Sequence, residues 1–215
     1  MTAPRRELAS RRTGWAAALA RWLARCGVRP NAVSIAGVGF AGLAGLAFAL
    51  APDLDRQTRA TVLFAAAASI QLRLLCNLLD GMLAVEEGLK SNTGDIYNEV
   101  PDRIADIVIL LGAGYAARQF PFGVTLGWSA ALAAVLTAYV RVFGGSIGAV
   151  QQFIGPMAKQ HRMFTLTVAT LAAAGETLAG APGRAIPIGL AVIVAGSIIT
   201  ALRRTVRIVA EVKAR

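Results

Sequence analysis

The stretch CNLLDGMLAVEEGLKSNTGDIYNEVPDRIAD, Cys76 to Asp106, holds seven carboxylates: Asp80, Glu86, Glu87, Asp95, Glu99, Asp102 and Asp106. Read as helices, it puts Asn77 and Asp80 three apart on one face, and Asn98 and Asp102 four apart on another. Glu99 and Asp106 lie near the second face, and Asp95 enters it one turn earlier. Two such helices facing each other form a cage of carboxylate and carboxamide oxygens. Oxygens of like charge at that range repel unless a cation lies between them, and an all-oxygen set suits Mg²⁺, Mn²⁺ or Ca²⁺. A dinuclear site working on a phosphate-bearing substrate is the chemistry that such a cage serves. Gly81 and Gly94 leave room beside it for a ligand or a backbone. Glu86 and Glu87 fall in a short polar connection and read as solvated acids. Asp80 and Asp102 are embedded in apolar helical patterns, where a solvated role fits poorly. Arg103 can pair with one acid, which leaves the rest of the face unexplained.

The elements that must carry this cage read as membrane. The chain has 215 residues, of which 56% are hydrophobic and only 16% charged, with positive mean hydropathy. That composition belongs to polytopic membrane proteins and predicts one all-α bundle. Six apolar segments of about 20 residues are expected as spans. They run near 32–51, 59–85, 94–117, 124–150, 163–181 and 186–202, and the first is rich in Gly and Ala, so its neighbours can approach closely. Before them, Trp15, Ala16, Leu19, Trp22 and Leu23 recur at helical spacing, offset from Arg12, Arg21 and Arg25. This pattern predicts an amphipathic helix lying in the membrane interface. The N-terminus shows no signal-peptide pattern. The domain reading is therefore an arm and juxtamembrane helix over 1–31, a six-helix transmembrane domain over 32–203, and a basic tail over 204–215.

The formal net charge of +10 is carried mainly by Arg flanking the apolar runs. Without a basic stripe interleaved with aromatics, nucleic acid is not an expected partner, and anionic membrane lipids are. The basic arm, the tail and the loop holding Lys159 and Arg162 belong in the cytoplasm by the positive-inside rule. An even number of spans puts both termini there, and the acidic stretch with them. Cys26 and Cys76 read as two reduced thiols. Arg141, charged inside an apolar helix, has a paired or functional role by default.

The stretch resembles the signature of the CDP-alcohol phosphotransferase family: Asp, two residues, Asp-Gly, two residues, Ala-Arg, eight residues, Gly, three residues, Asp, three residues, Asp. Aligned without gaps, Asn77 stands at the first Asp, Asp80 at the second, Asn98 at the third and Asp102 at the fourth. Gly81, Ala84 and Gly94 match in place, and Val85 stands where the family has Arg. RPNAVS (Arg29 to Ser34) resembles the stretch that opens the family's first transmembrane helix, and GPMAKQHRM (Gly155 to Met163) its basic loop before the fifth. The resemblance implies transfer of a phosphatidyl group from a CDP-linked lipid such as CDP-diacylglycerol to an alcohol acceptor, with release of CMP. It implies two divalent ions, Mg²⁺ or Mn²⁺, on Asn77, Asp80, Asn98 and Asp102, with Asp102 also the general base. Gly81, Ala84 and Gly94 would line the nucleotide pocket, and Arg141, Lys159 and Arg162 would meet acceptor or lipid phosphate. It also implies a homodimer, and the setting is that of a bacterial cytoplasmic (inner) membrane. The double Asn substitution favours an alternative, a degenerate member that binds nucleotide-lipid or a partner without turnover. A small transporter with an ion site at Asp80 and Asp102 fits less well, because such sites lie near the midplane between repeated halves.

Overall fold

The computed structural model describes residues 14–85, 88 and 94–214, apart from the side chains of Asp95 and Asn98. Its elements are α1 (Gly14–Arg25), α2 (Pro30–Leu50), a 3₁₀ turn (Ala51–Asp53), α3 (Arg56–Val85), α4 (Gly94–Ala116), α5 (Gly123–Ser146), α6 (Lys159–Leu178) and α7 (Ala185–Lys213). Among the described residues all regular structure is helical, as the composition predicts. Four of these helices, α2, α3, α5 and α7, are long and apolar enough to cross a membrane by length and composition. The starts of α4 and α6 are heavily charged, which keeps both below that standard.

Local signals set the helix ends. Pro30 opens α2 at a position where its missing N–H costs nothing, after an extended Arg29. Arg59 folds back over the end of α2, its Nε donating to the Ala51 carbonyl at 2.9 Å and its Nη2 to that of Pro52 at 2.6 Å. Asp55 caps α3 by accepting from the amides of Gln57 (3.0 Å) and Thr58 (3.2 Å). One arginine and one aspartate thus satisfy a helix end and a helix start in a turn of few residues.

Packing relies on small residues. α2 lies against α3 and α4, α4 against α5, α5 against α7, and α6 against α3 and α7. A Cβ on Gly112 would fall 2.7 Å from the Gly45 Cα, so α2 and α4 approach backbone to backbone. Phe48, Ile70, Ile109, Leu110, Leu166, Leu190 and Ile193 fill the centre. Large apolar side chains such as Leu132, Phe164 and Val206 point outward, at 72%, 67% and 69% exposure. A bundle apolar both inside and outside suits hydrocarbon surroundings better than water.

The first helix packs by its small face. Ala16 and Ala20 are fully buried against Leu78, Leu79, Met82 and Leu83 near the end of α3, while Trp15, Trp22, Arg21 and Arg25 are exposed. Within the expected apolar set, Ala16 docks on the bundle while Trp15 and Trp22 face outward. At the other terminus, α7 continues well past the expected Leu202 to Lys213.

Candidate active site

The site forms where the end of α3, the start of α4 and the first turns of α2 and α6 meet. On α3, Arg73, Asn77 and Asp80 follow at i, i+4 and i+7, a single face. On α4, Asp102 and Asp106 are four apart on the facing side. Pro101 lies within α4, just before Asp102, and leaves the carbonyl one turn earlier without its helical donor. Together with Ser34 and Gly37 of α2, Arg73, Asn77, Asp80, Pro101 and Asp102 line a narrow crevice, with Asp106 buried one turn beyond it.

Each carboxylate has partners. Asp80 is 7% exposed and accepts from the Ser34 Oγ at 2.7 Å. Asp106 is buried between two guanidiniums, with Arg73 Nη2 at 2.8 Å from its Oδ1 and Arg162 Nη2 at 2.9 Å from its Oδ2. Asp102, about one-sixth exposed, meets Arg73 Nη2 at 3.3 Å through Oδ1. Through Oδ2 it meets the Lys159 ammonium and, at 3.8 Å, Arg103. Lys159 also donates to the Asn77 Oδ1. The lysine thus bridges the first and fourth positions of the motif, across the gap between α3 and α4. Glu99 pairs with Arg141, which lies over the Phe153 ring and donates to Gln151 at 3.2 Å.

No protein-family model matches the chain. It is 28% identical over 142 residues to the inner membrane protein YnbA of Escherichia coli (strain K12), and the match spans 66% of each chain, just under two thirds of that relative. Among solved structures, the phosphatidylinositol phosphate synthase PgsA1 of Mycobacterium tuberculosis in complex with manganese and citrate superposes with a TM-score of 0.74. That superposition covers 90% of this chain and 88% of the other at 21% identity. The same enzyme with CDP-DAG bound gives a TM-score of 0.73, over 90% and 92%, at 23% identity. This is the fold of a CDP-alcohol phosphotransferase.

Within the CDP-alcohol phosphotransferase fold, three of the four motif positions converge: Asn77, Asp80 and Asp102. Asn98 lies on α4, but its side chain, like that of Asp95, is outside the described residues, as are Glu86 and Glu87. Gly81 and Ala84 follow Asp80 in the last turns of α3, and Gly94 opens α4. Arg162 departs from the phosphate-contact expectation. It is 2% exposed, and its Nη1 donates to the Met157 carbonyl (3.0 Å) and Thr137 Oγ1 (3.2 Å) while Nη2 holds Asp106. Burial inside an ion pair makes it a strut of the bundle. His161 is exposed beside it and touches none of the acids described above. A larger pocket, lined by Phe120, Pro121, Phe122, Arg184, Pro187 and Ile188, sits at the far ends of α4 and α7; it contains no acid and no motif residue.

Among the described residues the motif positions present oxygen donors alone. Asp80 and Asp102 supply carboxylate oxygen and Asn77 a carbonyl, the donors that Mg²⁺ or Mn²⁺ takes. Among the described residues no three His, Cys, Asp or Glu side chains gather as a metal-binding group. The sequence reading gives Arg73 and Ser34 no role of their own in the site. Arg73 is a charge inside an apolar run, one turn before Asn77, a signal of pairing or function. Ser34 figures only as the last residue of RPNAVS, and its partner Asp80 is 46 residues away.

Proposed function

We propose that this chain transfers a phosphatidyl group from a CDP-linked lipid, such as CDP-diacylglycerol, to an alcohol acceptor and releases CMP. What supports the reading is the convergence of Asn77, Asp80 and Asp102 at one end of an apolar bundle whose fold is that of an enzyme solved with CDP-DAG bound. The acceptor oxygen attacks the phosphorus nearer the lipid. The new P–O bond forms as the bond to CMP breaks, and Asp102 takes the alcohol proton as general base. Arg73 and Lys159 hold that carboxylate in place from opposite sides. A divalent cation on Asp80, Asp102, Asn77 and Asn98 would neutralise charge on the diphosphate and the leaving phosphate. Gly81, Ala84 and Gly94 give the nucleotide close approach to the backbone, and Arg141 lies near enough to the acids to meet an acceptor phosphate.

The same proposal takes α2 to α7 as six spans, α1 as an interfacial helix, and the termini and site as cytoplasmic, in a bacterial inner membrane. The protein works as a homodimer. The decisive assay incubates purified protein with CDP-diacylglycerol, Mg²⁺ or Mn²⁺, and a panel of alcohols, and measures CMP. Release above an Asp102→Ala control supports transfer, and none with any acceptor sinks it for that panel. A second reading, binding of nucleotide-lipid without turnover, is favoured by Asn at two motif positions and by the Lys159 bridge. It predicts saturable CDP-diacylglycerol binding with no CMP.

A further inference from the structure

The charges around the crevice do not sum as a two-metal cage requires. Four carboxylates, Asp80, Glu99, Asp102 and Asp106, face five cations, Arg73, Arg103, Arg141, Lys159 and Arg162. Among the described residues the acids are thus matched by the protein's own basic groups. Asp in place of Asn77 alone would cancel the described set's excess of one positive charge and so favour an added cation. Among the described residues Lys159 is the one of the five cations whose side chain contacts motif residues of both α3 and α4. Its ammonium donates to Asp102 Oδ2 and Asn77 Oδ1 together, one acceptor from each helix. An ammonium is a compact cation with three rotatable donors, able to bind two oxygens at once much as a metal does. Asn77 matches this arrangement: its carbonyl accepts from Lys159 without adding a charge that would call for a second ion.

We propose that the Lys159 ammonium takes the place of one of the two divalent cations expected of this motif, so that the chain binds at most one. The inference rests on the site reading above but not on turnover. A tethered ammonium cannot be lost to chelators, so one of the three positive charges that it and a single divalent ion would bring is permanent. The remaining ion is held mainly from the Asp80 side, next to Ser34.

The test counts ions on the purified full-length protein. Mn²⁺ is titrated in, and the free ion is followed by electron paramagnetic resonance. Wild type is expected to bind no more than one ion per chain. Lys159→Gln combined with Asn77→Asp gains one ion, or binds at least about ten-fold tighter, because a like charge has left the cage and a carboxylate has entered it. Lys159→Arg, which keeps the charge, stays within about two-fold of wild type. Two ions on wild type overturn the proposal without need of any variant, and so does a double variant that melts like wild type yet gains nothing. CMP release from the same preparations separates this outcome from failure of the transferase reading: a chain can turn over with two ions, or bind one and not turn over.

Discussion

Asp106 joins two buried guanidiniums, and Asp106→Asn isolates the contribution of its charge. The side chain is 1% exposed and joins Arg73 of α3 to Arg162 of α6 from its own place on α4. Asn fills the same space and keeps one acceptor, so the loss is one of charge. Arg73 retains partial compensation from Asp102 at 3.3 Å. Arg162 retains only the neutral oxygens of Met157 and Thr137. Removing one partner of a buried pair costs about 3–5 kcal/mol, because the other charge is left uncompensated. With Arg73 still partly paired, the lower end applies, about 3 kcal/mol. For a chain of this length that corresponds to a melting temperature roughly 6–12 °C lower. The measurement is thermal unfolding in detergent followed by circular dichroism. Adding Arg162→Met removes the stranded guanidinium and should recover part of the loss, a coupling that independent sites would not show. A fall of less than about 2 °C for Asp106→Asn, or no recovery in the double variant, would refute the triad as a stabilising element.

Other outcomes follow from the same geometry. Gly112→Val should destabilise by about 1–3 kcal/mol, read as a lower melting temperature, since its Cβ alone would lie 2.7 Å from Gly45. If the transferase reading holds, Asn77→Asp with Asn98→Asp should raise CMP release; unchanged release would show that the two carboxamides do not attenuate the reaction. The Asp55 carboxylate is held below its ordinary 3.8 by hydrogen bonds from Thr58, then from Gln57. Its capping contribution is therefore complete above pH 3.8 and is lost as pH falls through the lowered value. The difference in melting temperature between wild type and Asp55→Ala should be present at pH 7 and close in strongly acid buffer; a constant difference counts against the cap.

The helices were legible because apolar runs are a long, redundant signal. Their ends were not, because hydropathy stops at the first charge while backbone hydrogen bonding does not. α6 starts at Lys159 rather than Met163 for that reason. α7 runs through the basic segment to Lys213, anchored where Arg204 donates to the carbonyls of Ile154 (3.0 Å) and Thr137 (2.8 Å). Spacing along one helix correctly brought Asn77 and Asp80 to one side, facing Asp102. It could not say that Arg73 would meet acids 29 and 33 residues away, since such pairing is settled only by packing. The buried placement of Arg162 is hidden in the sequence for a related reason. A basic residue near a helix start looks the same in sequence whether it faces water or a buried aspartate.

The ion triad also bears on how the chain enters its membrane. In the six-span proposal, α4 and α6 are the two helices that composition alone does not recommend for insertion, and both begin with charged turns. Arg73 emerges first during synthesis, inside an otherwise apolar α3, and its counter-ions Asp102 and Asp106 follow on α4. Arg162 arrives later still and completes the set. Neutralisation is thus assembled in order, each reluctant segment made acceptable by one that came before. The insertion machinery would have to hold α3 and α4 together until α6 is made, and a chain lacking the Arg73 guanidinium should leave α4, with its buried Asp106, poorly inserted.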